Sequence, residues 1–225
     1  MTGASDQLIL DLPHRPALGA EDFLISGSNQ AAADIVDRWP DWPHRSVVVV
    51  APPGAGKTHL ANVWRLKSGA AGFAASTLSE PDVARARGAL LIEDLHAGIG
   101  DQRALFHLLN LVREHKLSML LTSRLAPGEL DVSLPDLRSR LRALPVVAIS
   151  PPDDALLKAV LVKHFADRQL AIDPKVLDFL ALRIERSLAA AADVVAAIDR
   201  AALGSGRKIS RQLVAEVLGT EVSSE

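Results

Sequence analysis

The chain has 225 residues, 48% of them hydrophobic and 23% charged, a balance typical of folded proteins rather than disordered ones. The 25 Lys and Arg residues nearly equal the 27 Asp and Glu residues, and the parts before and after residue 150 are each close to neutral, which argues against a dedicated nucleic-acid-binding domain. Cysteine is absent, so the sequence excludes disulfides, thiolate zinc sites and cysteine nucleophiles.

Residues 1–22 are predicted to form an extended N-terminal arm. Pro13, Pro16 and Gly19 interrupt this stretch, and it shows no helical period of useful length. It also lacks the basic segment and the long apolar run of a secretion signal or a membrane span. We therefore expect a cytoplasmic protein without a membrane segment.

One apolar pattern stands out within the arm. Leu8, Leu10 and Leu12 follow Gln7 at every second position, as in an extended peptide with one buried face. From the pattern alone, a strand added to the protein's own sheet and a segment that binds another protein are equally good interpretations.

Residues 23–150 are predicted to form an α/β subdomain. A helix starts after Ser28 and Asn29, which suit an N-cap, and Pro40 ends it. Five short apolar segments then predict buried strands, with helical stripes between them. These segments are 47–51, 72–75, 89–93, 118–122 and 146–149. Strands that alternate with helices imply a five-stranded parallel sheet flanked by helices.

Residues 151–225 are predicted to form a small all-α lid subdomain. The pattern becomes purely helical after Pro151 and Pro152, and we place the domain boundary there. Four helices are predicted, and Pro174 suits the start of the second of them. The apolar residues assigned to that second helix are Val176, Leu177, Leu180 and Leu182.

The first strand runs directly into a glycine-rich loop of the phosphate-binding kind. Gly56, Lys57 and Thr58 match the pattern G-x-x-x-x-G-K-[ST], although Ala51 stands at its first position. In such a loop the backbone N–H groups face the β-phosphate, the lysine reaches the β- and γ-phosphates, and the threonine hydroxyl binds Mg²⁺. The predicted nucleotide-binding residues are Pro53, Gly54, Ala55, Gly56, Lys57, Thr58 and His59.

Two acidic residues, Glu93 and Asp94, end the third strand at the sheet edge that carries this loop. They resemble a Walker B motif, in which the first acid is linked to Mg²⁺ and the second polarises water. We assign Glu93, together with Thr58, to Mg²⁺ and Asp94 to the catalytic water. The usual order has Asp before Glu, so the exchange predicts impaired hydrolysis with retained nucleotide binding. A solvated turn is the alternative interpretation.

The fourth strand ends in polar residues that would face the γ-phosphate. We predict that Thr122 contacts this phosphate, with Ser123 as the alternative. Threonine is also frequent at strand ends for reasons of propensity, so this prediction depends on position.

Three arginines, Arg138, Arg140 and Arg142, occur on a predicted short helix. Their spacing sends Arg138 and Arg142 to one side and Arg140 to another. An arginine can stabilise the developing phosphoryl charge on a neighbouring subunit. A merely solvated basic helix fits the pattern equally well.

Taken together, these motifs resemble the AAA+ module of the bacterial replication initiator DnaA. The segment Phe23–Ala32 is similar to the part of that family that flanks adenine, and the resemblance extends from residue 21 to about residue 218. No helix-turn-helix region with a basic DNA-reading helix follows the lid, so no direct sequence-specific DNA binding is expected. The motifs that carry the resemblance are Gly54–Leu60, Glu93-Asp94, Leu121–Ser123 and Leu137–Arg140.

A DnaA-like module preceded by such an arm resembles the Hda family of regulators, which inactivate DnaA. In that family the arm binds the β sliding clamp of DNA polymerase III, which implies that Gln7, Leu8, Leu10 and Leu12 are partner-binding residues. The resemblance therefore favours clamp binding over an internal strand. An extended peptide can insert its leucines into a hydrophobic pocket while Gln7 makes directional hydrogen bonds.

The resemblance also implies a mechanism. The protein would carry ADP or ATP with Mg²⁺, typically ADP, while it sits on DNA-loaded clamp and docks against ATP-bound DnaA. The arginine-finger position of the family falls on Arg140, which would act on the nucleotide of DnaA. Homo-oligomers would form through the same face. The family's sensor-2 arginine has no direct equivalent here, because Ala189–Ala192 occupy its region, and Arg186 is the nearest substitute.

Two other functions remain as alternatives. An autonomous P-loop ATPase of the helicase-loader or remodelling type would use Glu93 and Asp94 on its own ATP. A binding adaptor with a vestigial nucleotide site would retain neither ADP nor ATP.

Overall fold

The computed structural model of the protein describes residues 23–42 and 44–219. The predicted clamp-binding residues Gln7, Leu8, Leu10 and Leu12 lie outside the described residues, so their role stays a prediction. In the described ranges no helix is both long enough and apolar enough to cross a membrane.

The described chain contains the predicted parallel sheet of five strands. Their order across the sheet is β2-β3-β4-β1-β5, and every neighbouring pair is parallel. Consecutive strands are joined through helices, as parallel pairing requires. The strands are β1 (Ser46–Val50), β2 (Ala71–Ala74), β3 (Ala89–Glu93), β4 (Ser118–Ser123) and β5 (Val146–Ala148).

The prediction that all five strands are buried is wrong for the two outermost ones. The central strands β1, β3 and β4 are almost wholly buried, whereas β2 and β5 have mainly exposed residues. Both lie at the sheet edges, where only one side has a hydrogen-bonded neighbour and the helices cover less of the face. Val146 in β5 is 47% exposed.

Helices cover both faces of the sheet. Successive side chains of β1 point to opposite faces, so Val48 packs into one core while Val47 and Val49 pack into the other. Trp64 of α2 is fully buried in the second core, where it stacks on Trp42. The helices of this unit are α1 (Gln30–Arg38), α2 (Lys57–Ser68), α3 (Glu80–Arg85), α4 (Gln102–Glu114) and α5 (Pro135–Arg142).

Four further helices pack around a core of their own, as predicted for the lid. Each begins at a side-chain N-cap that accepts a backbone N–H, and the four caps are Asp153, Asp173, Ser187 and Ser210. Leu182 does not join this core: α7 ends at Ala181 and leaves Leu182 80% exposed, while Phe179 is buried instead. The lid helices are α6 (Asp154–Asp167), α7 (Pro174–Ala181), α8 (Leu188–Ser205) and α9 (Arg211–Leu218).

Candidate functional site

The glycine-rich loop joins the buried strand β1 to helix α2. The N–H of Ala51 donates to the carbonyl of Ser123 at 3.1 Å, which ties the start of the loop to the tip of β4. Gly54 and Gly56 then adopt φ values of +70° and +96°, which L-residues with a Cβ rarely adopt. The loop ends where Lys57 opens α2, so the helix N-terminus and its unpaired N–H groups face the space above the loop.

A pocket of about 420 Å³ lies between this loop, the sheet edge and the lid. That volume is within the range of small-molecule and cofactor sites. Six of the predicted nucleotide-binding residues line it, namely Pro53, Gly54, Gly56, Lys57, Thr58 and His59. Ala55, the seventh, is buried in the core beneath the loop.

The segment predicted to flank adenine reaches the same region. The ring of Phe23 meets the imidazole of His59 edge-on, with the ring centroids 5.2 Å apart. Further along, the carbonyl of Ser28 accepts a hydrogen bond from the N–H of Ser150 at 2.9 Å, just beyond β5. The ring contact places Phe23 beside His59, a pocket residue near the start of α2.

The lid contacts the phosphate loop through the start of α8. The N–H of Leu188 donates to the carbonyl of Gly54 at 2.7 Å, and Ser187 caps the helix directly above that glycine. Leu188 also lies against Gly56, where an added Cβ would be 3.3 Å from Leu188 Cδ1. Because both glycines touch the lid, the conformation of the loop and the docking of the lid are coupled.

Asp94 and Lys57 form an ion pair inside the pocket. The side chain of Lys57 is 10% exposed and that of Asp94 is 52% exposed, so the pair joins a mostly buried ammonium to a carboxylate that is open to the pocket. Asp94 adopts a left-handed conformation with φ +58°, and its N–H donates to Oγ1 of Thr122 at 3.0 Å. The buried threonine thus orients the backbone that presents the carboxylate to Lys57.

The charges around this pair keep the carboxylate ionised. Partial burial raises the pKa of Asp94, but the hydrogen bond and the charge of Lys57 outweigh that effect. His96 and Arg124 contribute less in the same direction as Lys57, so the pKa of Asp94 lies below its ordinary value. The pKa of His96 is also lowered, mainly because burial disfavours the imidazolium. Attraction to Asp94 opposes that shift, and repulsion from Lys57 and Arg124 adds to it. At neutral pH we therefore expect a carboxylate beside a neutral imidazole.

Besides Ala55, three residues predicted to hold the nucleotide or its metal do not line the pocket. Glu93 is half-buried at the last position of β3. Thr122 is 1% exposed, and its hydroxyl oxygen accepts the Asp94 N–H. Arg186 precedes α8, and its guanidinium donates to Asp154 at 2.5 Å and to the carbonyl of Pro152 at 3.4 Å. The described contacts of Arg186 therefore connect the start of α8 to the start of α6, within the lid.

The three arginines of α5 separate as their spacing predicts. Arg138 donates to the carbonyl of Val132 at 2.9 Å, and Arg142 donates to the carbonyl of Gly128 at 3.3 Å, so both bind the loop before the helix. Arg140 instead lies over the ring of Phe106 in α4, with its Cζ 5.8 Å from the ring centroid. None of the three is a pocket residue.

The pocket also contains residues that sequence reasoning missed. Arg124 follows β4 directly, and a stripe on α6 faces the loop from the lid. The stripe had a signal in the sequence, since its residues recur at i, i+3, i+4 and i+7 beside the apolar face of α6. The lid residues that line the pocket are Val160, Lys163, His164, Asp167, Leu188, Ala189 and Ala192.

The donors at this site fit a nucleotide accompanied by Mg²⁺. The loop offers backbone N–H groups and Lys57 to phosphates, and Thr58 offers a hydroxyl. No cluster of three or more His, Asp or Glu side chains suited to a metal ion occurs in the described ranges. Mg²⁺ commonly takes one or two protein ligands and completes its shell with phosphates and water. Thr58 lines the pocket and is the residue that would hold it, whereas Glu93, the other predicted ligand, does not line the pocket.

Replacing Asp94 with Asn tests the role of the ion pair. Asparagine tolerates the left-handed conformation and keeps the backbone bond to Thr122, but it removes the charge that attracts Lys57. We expect the affinity for ADP without Mg²⁺ to rise about three- to tenfold, because Lys57 no longer has to give up its ion pair with a carboxylate before it binds phosphate. Equilibrium titration with fluorescent ADP measures this, and an unchanged or lower affinity would contradict it.

Comparison with known proteins finds similarity to DnaA in sequence and to both DnaA and RuvB in fold. No family model matches the sequence. The chromosomal replication initiator protein DnaA of Cutibacterium acnes is 26% identical over an alignment 200 residues long, and the match covers 77% of this chain. The chain spans 40% of the length of that relative.

The fold comparison agrees. Domain III of DnaA from Thermotoga maritima is similar with a TM-score of 0.76 and 19% identity, covering 92% of this chain and 98% of that domain. AMPPCP-bound DnaA from Aquifex aeolicus is similar with a TM-score of 0.68 and 18% identity, covering 80% of this chain and 64% of that one. The described part of this chain therefore has a DnaA-like AAA+ fold.

Proposed function

We propose that this protein is a nucleotide-bound AAA+ regulator that inactivates DnaA. It holds ADP or ATP with Mg²⁺ at Gly54–Thr58, is retained on the β sliding clamp by its N-terminal arm, and docks against ATP-bound DnaA. Arg140 then reaches the nucleotide of DnaA and promotes its hydrolysis, so that replication does not start again.

The observation that carries this proposal is the position of Arg140. Its two neighbours bind carbonyls of their own loop, whereas Arg140 is partly exposed and lies on the aromatic ring of Phe106. A cation–π contact at such a site is worth only about 0.5–1 kcal/mol, so the guanidinium can leave it for a phosphate. Arg140 does not line the pocket of its own chain. A contact with the nucleotide of another subunit explains its position best.

A second observation supports slow hydrolysis by the protein itself. Glu93, the residue assigned to Mg²⁺, does not line the pocket, and Asp94, the residue predicted to polarise water, has a shorter side chain than the glutamate usual at that place. A metal ligand outside the pocket and a shorter reach to the attacking water both disfavour hydrolysis. The pocket is therefore better suited to holding a nucleotide than to turning it over.

A reconstituted hydrolysis assay tests the proposal. DnaA loaded with ATP is mixed with clamp-loaded DNA and this protein, with ADP or without added nucleotide, and the conversion of DnaA-bound ATP is followed. We expect faster conversion only when all components are present. Equal conversion without this protein would refute the proposal, and brisk hydrolysis by this protein alone would support the autonomous ATPase.

The arm is tested separately by replacing Gln7 and Leu8 with Ala. We expect the double variant to lose capture on immobilised β clamp while it keeps its affinity for ADP, because the arm precedes the nucleotide-binding unit. Ile9→Ala is the matched control, since the two-residue period places Ile9 on the opposite side of the extended peptide. Equal capture of the double variant and the parent protein would favour an internal strand instead.

A further inference from the structure

The lid has an exposed surface where α7 ends, outside the nucleotide pocket. Leu182 is largely exposed, and its N–H donates to the carbonyl of Asp178 at 3.2 Å. The N–H of Arg183 donates to the carbonyl of Leu180 at 3.0 Å, and Arg183 is exposed as well. These bonds to the last turn of α7 fix the backbone, so both side chains start from a rigid position. Neither residue lines the pocket.

Two arginines share the aromatic ring of Phe179. The guanidinium of Arg183 lies over the ring, with its Cζ 3.7 Å from the ring centroid, and its Nη1 donates to the carbonyl of Phe179 at 3.2 Å. Arg211, the first residue of α9, places its Cζ 5.9 Å from the same centroid. Phe179 is part of the lid core and gives both side chains a fixed support. The ring covers one face of a guanidinium and leaves N–H donors on its edge for a partner.

The positive charge of this surface is not compensated. Within the ranges that the structure describes, neither Arg183 nor Arg211 forms an ion pair, and the exposed Glu185 binds neither of them. Lys175 adds a third exposed cation one turn before Phe179 on α7. Other cations of the lid do have carboxylate partners, in the pairs Lys158–Asp178, Lys163–Asp167, Arg168–Asp199, Arg186–Asp154 and Arg207–Glu216. Because like charges around one ring repel each other, this surface favours an anionic partner.

We propose that the surface formed by Leu182, Arg183 and Arg211 binds an acidic segment of a partner protein. Carboxylates of the segment meet the guanidiniums, whose planar edges suit bidentate hydrogen bonds, and an apolar side chain of the segment packs on Leu182. The exposed leucine favours a protein over a nucleic acid, because a phosphate backbone offers it no apolar contact. This proposal does not depend on the nucleotide site, since none of the three residues lines the pocket.

The test titrates the full chain, labelled with ¹⁵N, with two synthetic peptides and follows the backbone amide signals by NMR. One peptide has a leucine flanked by glutamates, and the other has the same leucine flanked by glutamines. We expect the acidic peptide to bind with a Kd of about 0.1–1 mM and the glutamine peptide to bind at least about tenfold more weakly. The amide signals that shift should lie at the end of α7 and the start of α9.

Variants assign the binding to particular side chains. We expect the double variant Arg183→Gln, Arg211→Gln to bind the acidic peptide about five- to thirtyfold more weakly. Leu182→Ser should weaken it about three- to tenfold through the lost apolar contact. Arg200→Gln, at an exposed position of α8, removes the same charge elsewhere on the lid and should match the parent protein. Thermal melting shows whether each variant is folded, and the exposure of Leu182 predicts a native melting curve for Leu182→Ser.

Each outcome decides the proposal. Weaker binding by the double variant and by Leu182→Ser, with Arg200→Gln unchanged, supports it. A parent protein that does not bind the acidic peptide at about 5 mM overturns it, and so does equal binding by the parent and the double variant. A short DNA duplex that binds more tightly than the peptide, with no effect of Leu182→Ser, overturns it in favour of a nucleic-acid surface.

Discussion

Replacing Arg140 with Ala is expected to eliminate the stimulation of DnaA. An arginine supplied to the nucleotide of another subunit is worth on the order of 10³-fold or more in the rate of phosphoryl transfer, because it stabilises charge that develops only in the transition state. The variant should retain its fold, ADP affinity and clamp capture, since Arg140 is a surface residue whose described contact is the ring of Phe106. Single-turnover conversion of DnaA-bound ATP measures the effect.

Arg142→Ala is the matched control for this experiment. Arg142 lies on the same helix two residues later, but its guanidinium donates to the carbonyl of Gly128. We expect the control to stimulate DnaA nearly as well as the parent protein. Stimulation by Arg140→Ala equal to that of Arg142→Ala would disprove the finger assignment while leaving the nucleotide site unaffected.

Replacing Gly54 with Ala is expected to disrupt the contact between phosphate loop and lid. The new Cβ would overlap Ser187 Oγ and lie 2.9 Å from Ser187 Cβ, and the position has φ +70°. The left-handed conformation alone costs about 1–2 kcal/mol, and the overlap forces α8 away from the loop. We expect a free energy of unfolding lower by about 2–4 kcal/mol and a loss of ADP affinity, measured by denaturant titration and calorimetry.

Two further variants distinguish the backbone strain at Gly54 from the overlap with Ser187. Gly128→Ala controls for glycine replacement as such, because the added Cβ there meets only ordinary contact at 3.8 Å from Arg142. Adding Ser187→Gly to Gly54→Ala removes the overlapping atoms while keeping an acceptable N-cap, so it should restore part of the stability. If the double variant is no more stable than Gly54→Ala, the backbone strain and not the lid contact explains the loss.

The elements of the central sheet were predictable because their signals are local. Each buried strand is a short apolar run, and the glycine-lysine-threonine loop is recognised from its own spacing. The same locality misled the prediction for β2 and β5, since an apolar segment does not reveal whether its strand lies in the centre of a sheet or at its edge. That depends on the strand order, which is a property of the whole chain.

The residues around the pocket were also only partly predictable. The positions of the loop residues follow from their spacing in the sequence, whereas Arg124 and the stripe on α6 carry no motif that points to the pocket. Thr122 and Arg124 are two residues apart at one strand end, and the sequence alone points to the first. Only Arg124 lines the pocket, because Thr122 is buried and accepts the Asp94 N–H, and burial follows only from packing.

The sequence by itself determined the class of fold, the phosphate-binding loop and the short helix that bears three arginines, because hydrophobic periodicity, glycine placement and charge spacing act over a few residues. Only the tertiary structure decided which side chains share the pocket. Asp94 pairs with Lys57, 37 positions away in the chain, and Leu188 binds Gly54 from a separate helical unit. Such contacts depend on strand order and lid docking, which bring together residues that no local pattern connects.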